Sequence, residues 1–321
     1  MSHSKEVVER IIELKQQGLS HRAIAVEVFG EKRKQSSVQA IVKREGAIPT
    51  EPSTRVHSVR GAVHNAPSNS LRIMVIPDAQ VKKGVPLNHL RALGNYIAAK
   101  KPDVIVNIGD FADMPSLSQY DKAGSKTSEG GRYKDDIAWA KKAMETLMKP
   151  IREVAGYHPR LIFTLGNHEH RITRAIQDNP RHYEGVIGLE DLGYEEAGWE
   201  VYPFLEMVEV NGVHFSHYYV NPNSLTKNVI GGTMDTKLKN LGFSFVMGHQ
   251  QTFQHGLLYR TNGTCVQGIV AGAFYQHNEG YMGVQGNKSH WRGAVCLNDV
   301  VDGNYDIMPL SLKYLLERWD F

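Results

Sequence analysis

An α/β fold built on a parallel sheet, with a separate helical module ahead of it, is the architecture that this 321-residue sequence predicts. Three observations carry that expectation. Between residues 71 and 167, short apolar runs alternate with amphipathic stretches in a βαβαβ order, and such units form parallel sheets with right-handed crossovers. Past residue 200 two pairs of apolar runs are joined by Asn-Gly, the turn signal of antiparallel hairpins. Residues 1–47 carry three short helical stripes, and an aperiodic stretch rich in Pro and Ser at 48–70 cuts them off from the rest.

Composition narrows the class. Hydrophobic residues make up 41% and charged residues 22%, which excludes a disordered chain. No apolar run reaches the roughly 18 residues needed to span a bilayer. The start, MSHSKEVVER, has charges where a signal peptide has an apolar stretch, so a cytoplasmic protein is expected, with no membrane partner. Two cysteines, Cys265 and Cys296, are too few for a disulfide scaffold or a cysteine-based zinc cluster and read as reduced, buried thiols. The net charge of +3 is unevenly spread: residues 1–60 hold 11 Lys/Arg against 7 Asp/Glu, the remainder 26 against 27. The positive excess therefore sits in the N-terminal segment, as expected of a segment that meets a polyanion.

The elements follow in order. SKEVVERIIELKQQG places Val7, Val8, Ile11, Ile12 and Leu14 on one helical stripe that ends at Gly18. SHRAIAVEVFG opens on an N-cap candidate, Ser20, and continues through Ile24, Ala25 and Val28. SSVQAIVKREG adds Val38, Ile41 and Val42. Through LKQQGLSHRAIA and SSVQAIVKR this module resembles the helix-turn-helix units of resolvases and many phage proteins; a three-helix packing or oligomerisation module fits the same pattern. After the 48–70 linker, the apolar runs 71–77, 103–109 and 160–167 read as strands. LNHLRALGNYIAAKK and DDIAWAKKAMETLMKPIREVA read as the crossover helices. Three paired runs, at 204–219, 255–272 and 293–310, make the C-terminal half mostly antiparallel. The stretch 111–134 has no apolar period and many Gly and Ser, and it reads as a lid or substrate-contact loop.

The ends of these strands hold the chemistry. The first closes with Asp78 and Gln80, the second with GDFAD (Asp110, Asp113), and the third with GNHEHR (Asn167, His168, Arg171). Two further strands end near His217 and in GHQQTFQH, with His249, Gln251 and His255. Ligands of open α/β sheets bind at the carboxyl ends of strands, so one rim would gather these side chains. Glycines 109, 166 and 248, each just before one of them, permit close backbone approach there.

Singly these motifs are weak; in this order they resemble the calcineurin-like metallophosphoesterases, whose blocks run D-x-H, G-D-x-x-[DN], G-N-H-[ED], H and G-H-x-H. The resemblance covers residues 71 to about 260, and by texture the rest of a 71–321 domain. It implies an αββα sandwich of two mixed sheets and two divalent metal ions on one rim. Asp110 would bridge the ions, and Asn167, His217 and His249 would complete one site. The other would take Asp78 and two positions that are His in the family and are Gln80 and Gln251 here. Neutral, hard amide oxygens suit Mn²⁺ or Mg²⁺, so Mn²⁺ leads over Mg²⁺, Zn²⁺ or Fe. An empty first site and a mononuclear or inactive protein is the plainer alternative, and His255 reaching in is a third. The manganese-dependent ADP-ribose hydrolases of the superfamily are similar in carrying Gln in the first motif.

The resemblance also gives His168 the leaving group, as proton donor or as a stabiliser of transition-state charge, with Asp113 orienting its ring. By spacing, Arg171 lies one turn after Asn167 on a helix that starts there, where it would contact a phosphate oxygen, or else form a salt bridge to Glu169 or another acid. His170 and His214 read as structural or solvent-facing. Tyr275, Tyr281 and Trp291 fit either the core or a base-binding wall. Phosphoester hydrolysis by in-line attack is the implied reaction. The N-terminal module points to nucleic acid as substrate, for a nuclease-type phosphodiesterase or an end-processing phosphatase. A nucleotide or ADP-ribose pyrophosphatase, a protein phosphatase, or a DNA-binding regulator with an inactive esterase domain are the alternatives. Pairing such a module with a phosphoesterase resembles phage coding, which would place the protein in a host cytoplasm.

Overall fold

The computed structural model describes residues 4–17, 19–45, 69–119, 131–279 and 283–321. The linker at 48–70, except its last two residues, the middle of the 111–134 loop, Gly18 and Tyr281 lie outside them. Two compact units divide the chain at His64 and Asn65.

The first unit packs three helices: α1 (Lys5–Gln16), α2 (His21–Phe29) and α3 (Gln35–Glu45). The Ala23 amide donates to Ser20 Oγ and so caps α2. Gly30, at a φ of 70°, ends it in the left-handed conformation that favours glycine. One residue or two from each turn form the core: Ile11, Leu14, Ile24, Ala25, Val38 and Ile41. Val7, Val8, Val28 and Val42 flank it half-buried.

The second unit holds two mixed sheets. The first orders its six strands β11-β10-β1-β2-β3-β4, from β1 (Leu71–Ile76), β2 (Val104–Asn107), β3 (Arg160–Thr164), β4 (Glu200–Tyr202), β10 (Gly293–Val301) and β11 (Asn304–Ser311). Strands β1 to β4 run parallel, and β10 and β11 close one edge antiparallel. The crossover helices are α4 (Asn88–Lys100) and α5 (Tyr133–Arg152), and α6 (His170–Asp178) and the short α7 (Pro180–Tyr183) follow β3. The second sheet orders β5-β6-β7-β9-β8, from β5 (Val208–Val210), β6 (Val213–Phe215), β7 (Ser244–Met247), β8 (Phe253–Tyr259) and β9 (Cys265–Ala271).

Period-two alternation explains the layering. Along β1, Met74 and Ile76 point toward α4 and α5, in a core with Leu93, Leu147 and Phe163. Ile73 and Val75 point the other way, into a second core with Val106, Phe215, Val246 and Ile269 between the two sheets. The outer face of the second sheet buries Phe245, Met247 and Val270 under Met234 and Leu238 of α8 (Met234–Leu241). The result is the four-layer αββα sandwich, and strands covered on both faces read as continuous apolar runs.

The expectation of antiparallel pairing in the C-terminal half holds for its hairpins and not for the strands that link them. The three hairpins form, but β6, β7 and β9 run parallel to one another, and β4 joins the first sheet parallel to β3. The segment between β6 and β7 holds a crossover helix, α8, whose buried face covers the sheet, and a crossover returns the chain parallel. Cys296 is buried while Cys265 is only half-buried, and both are free thiols. Among the described residues no helix is long and apolar enough to cross a membrane.

Candidate active site

Strand ends build the site. Beyond β1 the chain makes a short ladder against the chain beyond β2: the Gln80 amide donates to the Asp110 carbonyl at 2.8 Å, Val81 to Phe111 at 2.8 Å, and Asp113 to Val81 at 2.9 Å. Thus the start of the 111–134 stretch is not free loop. Phe111, Ala112 and Met114 are buried in the core, and Pro115–Leu117 form one turn of 3-10 helix.

Asp110, Asn167, His217 and His249 converge. Metal-ligating atoms of Asp110, His217 and His249 lie within 4.8 Å of one another. Asn167 Oδ1 is 3.0 Å from His217 Nε2 and 2.8 Å from His249 Nδ1. His217 Nε2 is 3.2 Å from Asp110 Oδ2, and its Nδ1 is 2.8 Å from the Ile108 carbonyl, which fixes the ring and leaves Nε2 for the rim. Although burial opposes charge on His217, Asp110 and Asp78 outweigh it and lift its pKa to about 9. Burial, then the neighbouring His217, lowers His249 to about 4. Glycines are required for this approach: a Cβ at Gly166 would collide with the Asp110 carboxylate, and one at Gly248 with that of Asp78.

Asp78 and Gln80 are buried beside this group, and the His249 amide donates to Asp78 Oδ1 at 3.1 Å. Burial raises the Asp78 carboxyl to about 7. Asp78 Oδ2 and Gln80 Oε1 have no hydrogen-bond partner. Gln251 is buried, and its Oε1 accepts from Tyr275 Oη at 2.8 Å. That contact gives Tyr275 a place under the site, while Trp291 packs on Phe253 at 4.7 Å between ring centroids. His255 is exposed on β8, where it pairs with Ile269, and does not reach in. Four candidate ligands, Gln80, Asp110, His249 and Gln251, hold positive φ angles of 41°, 50°, 64° and 55°. Backbone in that region is uncommon for such residues and clusters at functional sites.

His168 lies against the same rim. Its amide donates to Asp110 Oδ1 at 2.8 Å. Its Nδ1 is 2.8 Å from Asp113 Oδ1 and 3.0 Å from the Asp113 carbonyl, and Nε2 is 3.7 Å from Asp110 Oδ2. Burial alone would lower the His168 pKa, but Asp110 and the hydrogen bond to Asp113 raise it. Arg171, the second residue of α6 (His170–Asp178), turns inward. It donates to the Asp113 carbonyl at 2.7 Å, lies 3.5 Å from Asp113 Oδ1, and sets Nη2 3.2 Å from His168 Nε2. It pairs with Asp113 and not with Glu169. His170 stacks on Phe204 at 4.7 Å, and His214 lies against Phe243 at 4.5 Å, both in packing roles.

Two features escaped the sequence reading. Glu169, fully buried, accepts the Asp110, Ala112 and Gly166 amides, each at 2.9 Å, and so ties the β2 and β3 ends together. An acid three residues after a glycine is the one local signal for it. Lys82 donates to Asp113 Oδ2 at 2.9 Å and to Glu279 at 2.7 and 2.8 Å, a link across 197 positions that no local pattern announces.

Comparison with known proteins identifies the family. Residues 71–272 match the family model for calcineurin-like phosphoesterases. The gene 54 proteins of Mycobacterium phages L5 and D29 are each 35% identical to this chain over 106 residues, 32% of the chain and 37% of their own length. A predicted phosphoesterase from Streptococcus pneumoniae TIGR4 aligns at 11% identity and a TM-score of 0.33, covering 76% of this chain and 91% of its own. A dimetal phosphatase from Danio rerio aligns at 11% identity and a TM-score of 0.38, covering 76% and 97%. With the family model running unbroken from the first strand to the end of β9, the chain belongs to the calcineurin-like phosphoesterases, a family of metal-dependent hydrolases.

Proposed function

We propose that this phosphoesterase hydrolyses phosphodiester or terminal phosphate linkages of nucleic acid with two divalent cations, Mn²⁺ foremost. Asp78, Gln80 and Gln251 would hold one ion, Asn167, His217 and His249 the other, and Asp110 both. The observation that carries the two-ion reading is the pair of buried, unpartnered oxygens, Asp78 Oδ2 and Gln80 Oε1. A buried acceptor without a donor costs roughly 1–3 kcal/mol, more when charged, and a hard cation would offset it. When bound, such ions polarise the phosphoryl group and make a water molecule more acidic.

The chain's own groups do the rest. Asp113 accepts from His168 Nδ1 and turns Nε2 toward the rim. A proton at Nε2 is favoured by Asp110 and opposed by the Arg171 guanidinium 3.2 Å away, and from there it would pass to a leaving oxygen. Nucleic acid is favoured over a small substrate by the first unit. Lys32 and Arg33 are exposed at the entry to α3, and Gln35, Ser36 and Gln39 are exposed along it. A tethered unit of this kind would raise the local concentration of substrate.

The test is an activity panel: bis(4-nitrophenyl) phosphate, 4-nitrophenyl phosphate, single- and double-stranded DNA and ADP-ribose, each with Mn²⁺, Mg²⁺ and Zn²⁺. Turnover of the diester and of DNA with Mn²⁺ is expected, and His168→Asn should lower kcat on DNA, whose leaving alkoxide needs a proton, by about 10²–10⁴-fold. Faster hydrolysis of ADP-ribose than of DNA would replace the nucleic-acid reading with a nucleotide pyrophosphatase. No hydrolysis of any substrate would leave a DNA-binding regulator.

A further inference from the structure

We propose that Lys82 and Glu279 are positioning residues that brace Asp113, and through it the His168 ring, for proton transfer to the leaving group. The inference rests on the role given to His168 above. Asp113 shares its two carboxylate oxygens: Oδ1 is 2.8 Å from His168 Nδ1, and Oδ2 accepts from Lys82 Nζ at 2.9 Å. Lys82 is held in turn by both oxygens of Glu279, at 2.7 and 2.8 Å. Glu279 Oε1 also lies 2.6 Å from His277 Nε2. The side chains of Asp113 and Glu279 are only 9% and 6% exposed, so water does little to screen the pairing.

Both ends of the brace are anchored. Lys82 follows Val81, which is laced to Phe111 and Asp113 through backbone hydrogen bonds of 2.8 and 2.9 Å. The Glu279 backbone is clamped by Asn287 of α9 (Gly283–Ser289): its amide donates to Asn287 Oδ1 and its carbonyl accepts from Asn287 Nδ2, each at 2.8 Å. Replacing buried ion pairs by apolar groups is often neutral for stability, so fixed geometry is the more informative reason for one beside a reacting group. Without Lys82, the Asp113 carboxylate could rotate and offer His168 either oxygen, and ring orientation would loosen. Lys82 lies within the family match, whereas Glu279 and His277 lie beyond residue 272, where that match ends, so only one half of the brace comes from outside it.

Leaving-group dependence separates this role from a merely structural one. Hydrolysis of bis(4-nitrophenyl) phosphate, with a good leaving group, is compared with that of diphenyl phosphate, with a poorer one. Lys82→Met and the isosteric Glu279→Gln are expected to lower kcat on diphenyl phosphate by about 10–100-fold, with KM and bound metal unchanged and a loss of under about 3-fold on the nitrophenyl ester. Lys82→Arg should restore most of the activity. If Lys82→Met fails to fold, Glu279→Gln alone decides. Equal losses on both esters in Glu279→Gln, with His168→Asn still discriminating between them, would overturn the brace and leave the His168 assignment standing. Equal losses in His168→Asn would take both down.

Discussion

Replacing Glu169 by Gln removes one negative charge and one acceptor from a place where three backbone amides converge. Oε2 accepts the Asp110 and Gly166 amides, and Oε1 accepts Ala112, with Tyr194 Oη at 3.5 Å. The amide that best replaces this carboxylate keeps its oxygen toward Asp110 and Gly166 and turns its NH₂ toward Ala112. One buried N–H then faces another donor, at a cost of about 1–3 kcal/mol. The two remaining bonds lose their charge assistance, roughly 0.5–1 kcal/mol each. Since burial and the nearby Asp110 already push the Glu169 carboxyl above its usual range, part of that loss is returned. A net destabilisation of about 2–4 kcal/mol follows, or a fall in Tm of roughly 5–15 °C for a domain of this size. The assay is thermal unfolding of the metal-free protein, followed by a Mn²⁺ titration. Binding should weaken as well, because the Ala112 amide released and the Asp110 and Gly166 amides held less tightly belong to the turns that present Asp110 and Asn167. A metal-free Tm within about 2 °C of wild type would refute the view that Glu169 ties the two strand ends together.

Three further outcomes are expected. In Gly248→Ala the new methyl collides with the Asp78 carboxylate and lies 3.2 Å from Ile108 Cδ1, so calorimetry should show Mn²⁺ binding at least about 10-fold weaker, equivalent to about 1.4 kcal/mol. Burial holds His89 near a pKa of about 3 against an ordinary 6.5. The unfolded chain therefore takes up a proton between those values while the fold does not, and stability conferred by the neutral ring is complete above pH 6.5 and lost as pH falls toward 3. Chemical denaturation of His89→Leu should show a pH 7 to pH 4 stability loss smaller than that of wild type by roughly 3 kcal/mol. Ser20→Ala removes the cap of α2 and should destabilise the N-terminal unit by about 1 kcal/mol, read from amide exchange of Ala23 and Ile24, with turnover of an aryl diester unchanged.

Much of the fold was legible because its signals are local. Apolar runs covered on both faces gave β1, β2 and β3, and Asn211-Gly212 gave the β5–β6 hairpin. The parallel pairing of β6, β7 and β9 was not legible, since a hairpin signal says nothing about which strand its hairpin joins. In the site, residues that end strands were found, and Asp110, Asn167, His217 and His249 do meet. Residues that act sideways were missed. Glu169 serves backbone amides, which carry no sequence signature, and Lys82 finds Glu279 only because the topology folds two distant loops together. Arg171 shows a third kind of gap: helix spacing placed it near the rim, but the direction of a long side chain was settled by the Asp113 carbonyl.

The left-handed backbone at Gln80, Asp110, His249 and Gln251 has a consequence for anyone evolving this protein in the laboratory. A side chain in that conformation costs about 1–2 kcal/mol that glycine would largely recover. A screen for heat tolerance with no demand for turnover will therefore be drawn to these four positions, and its hardiest winners will be the variants that have erased their own chemistry.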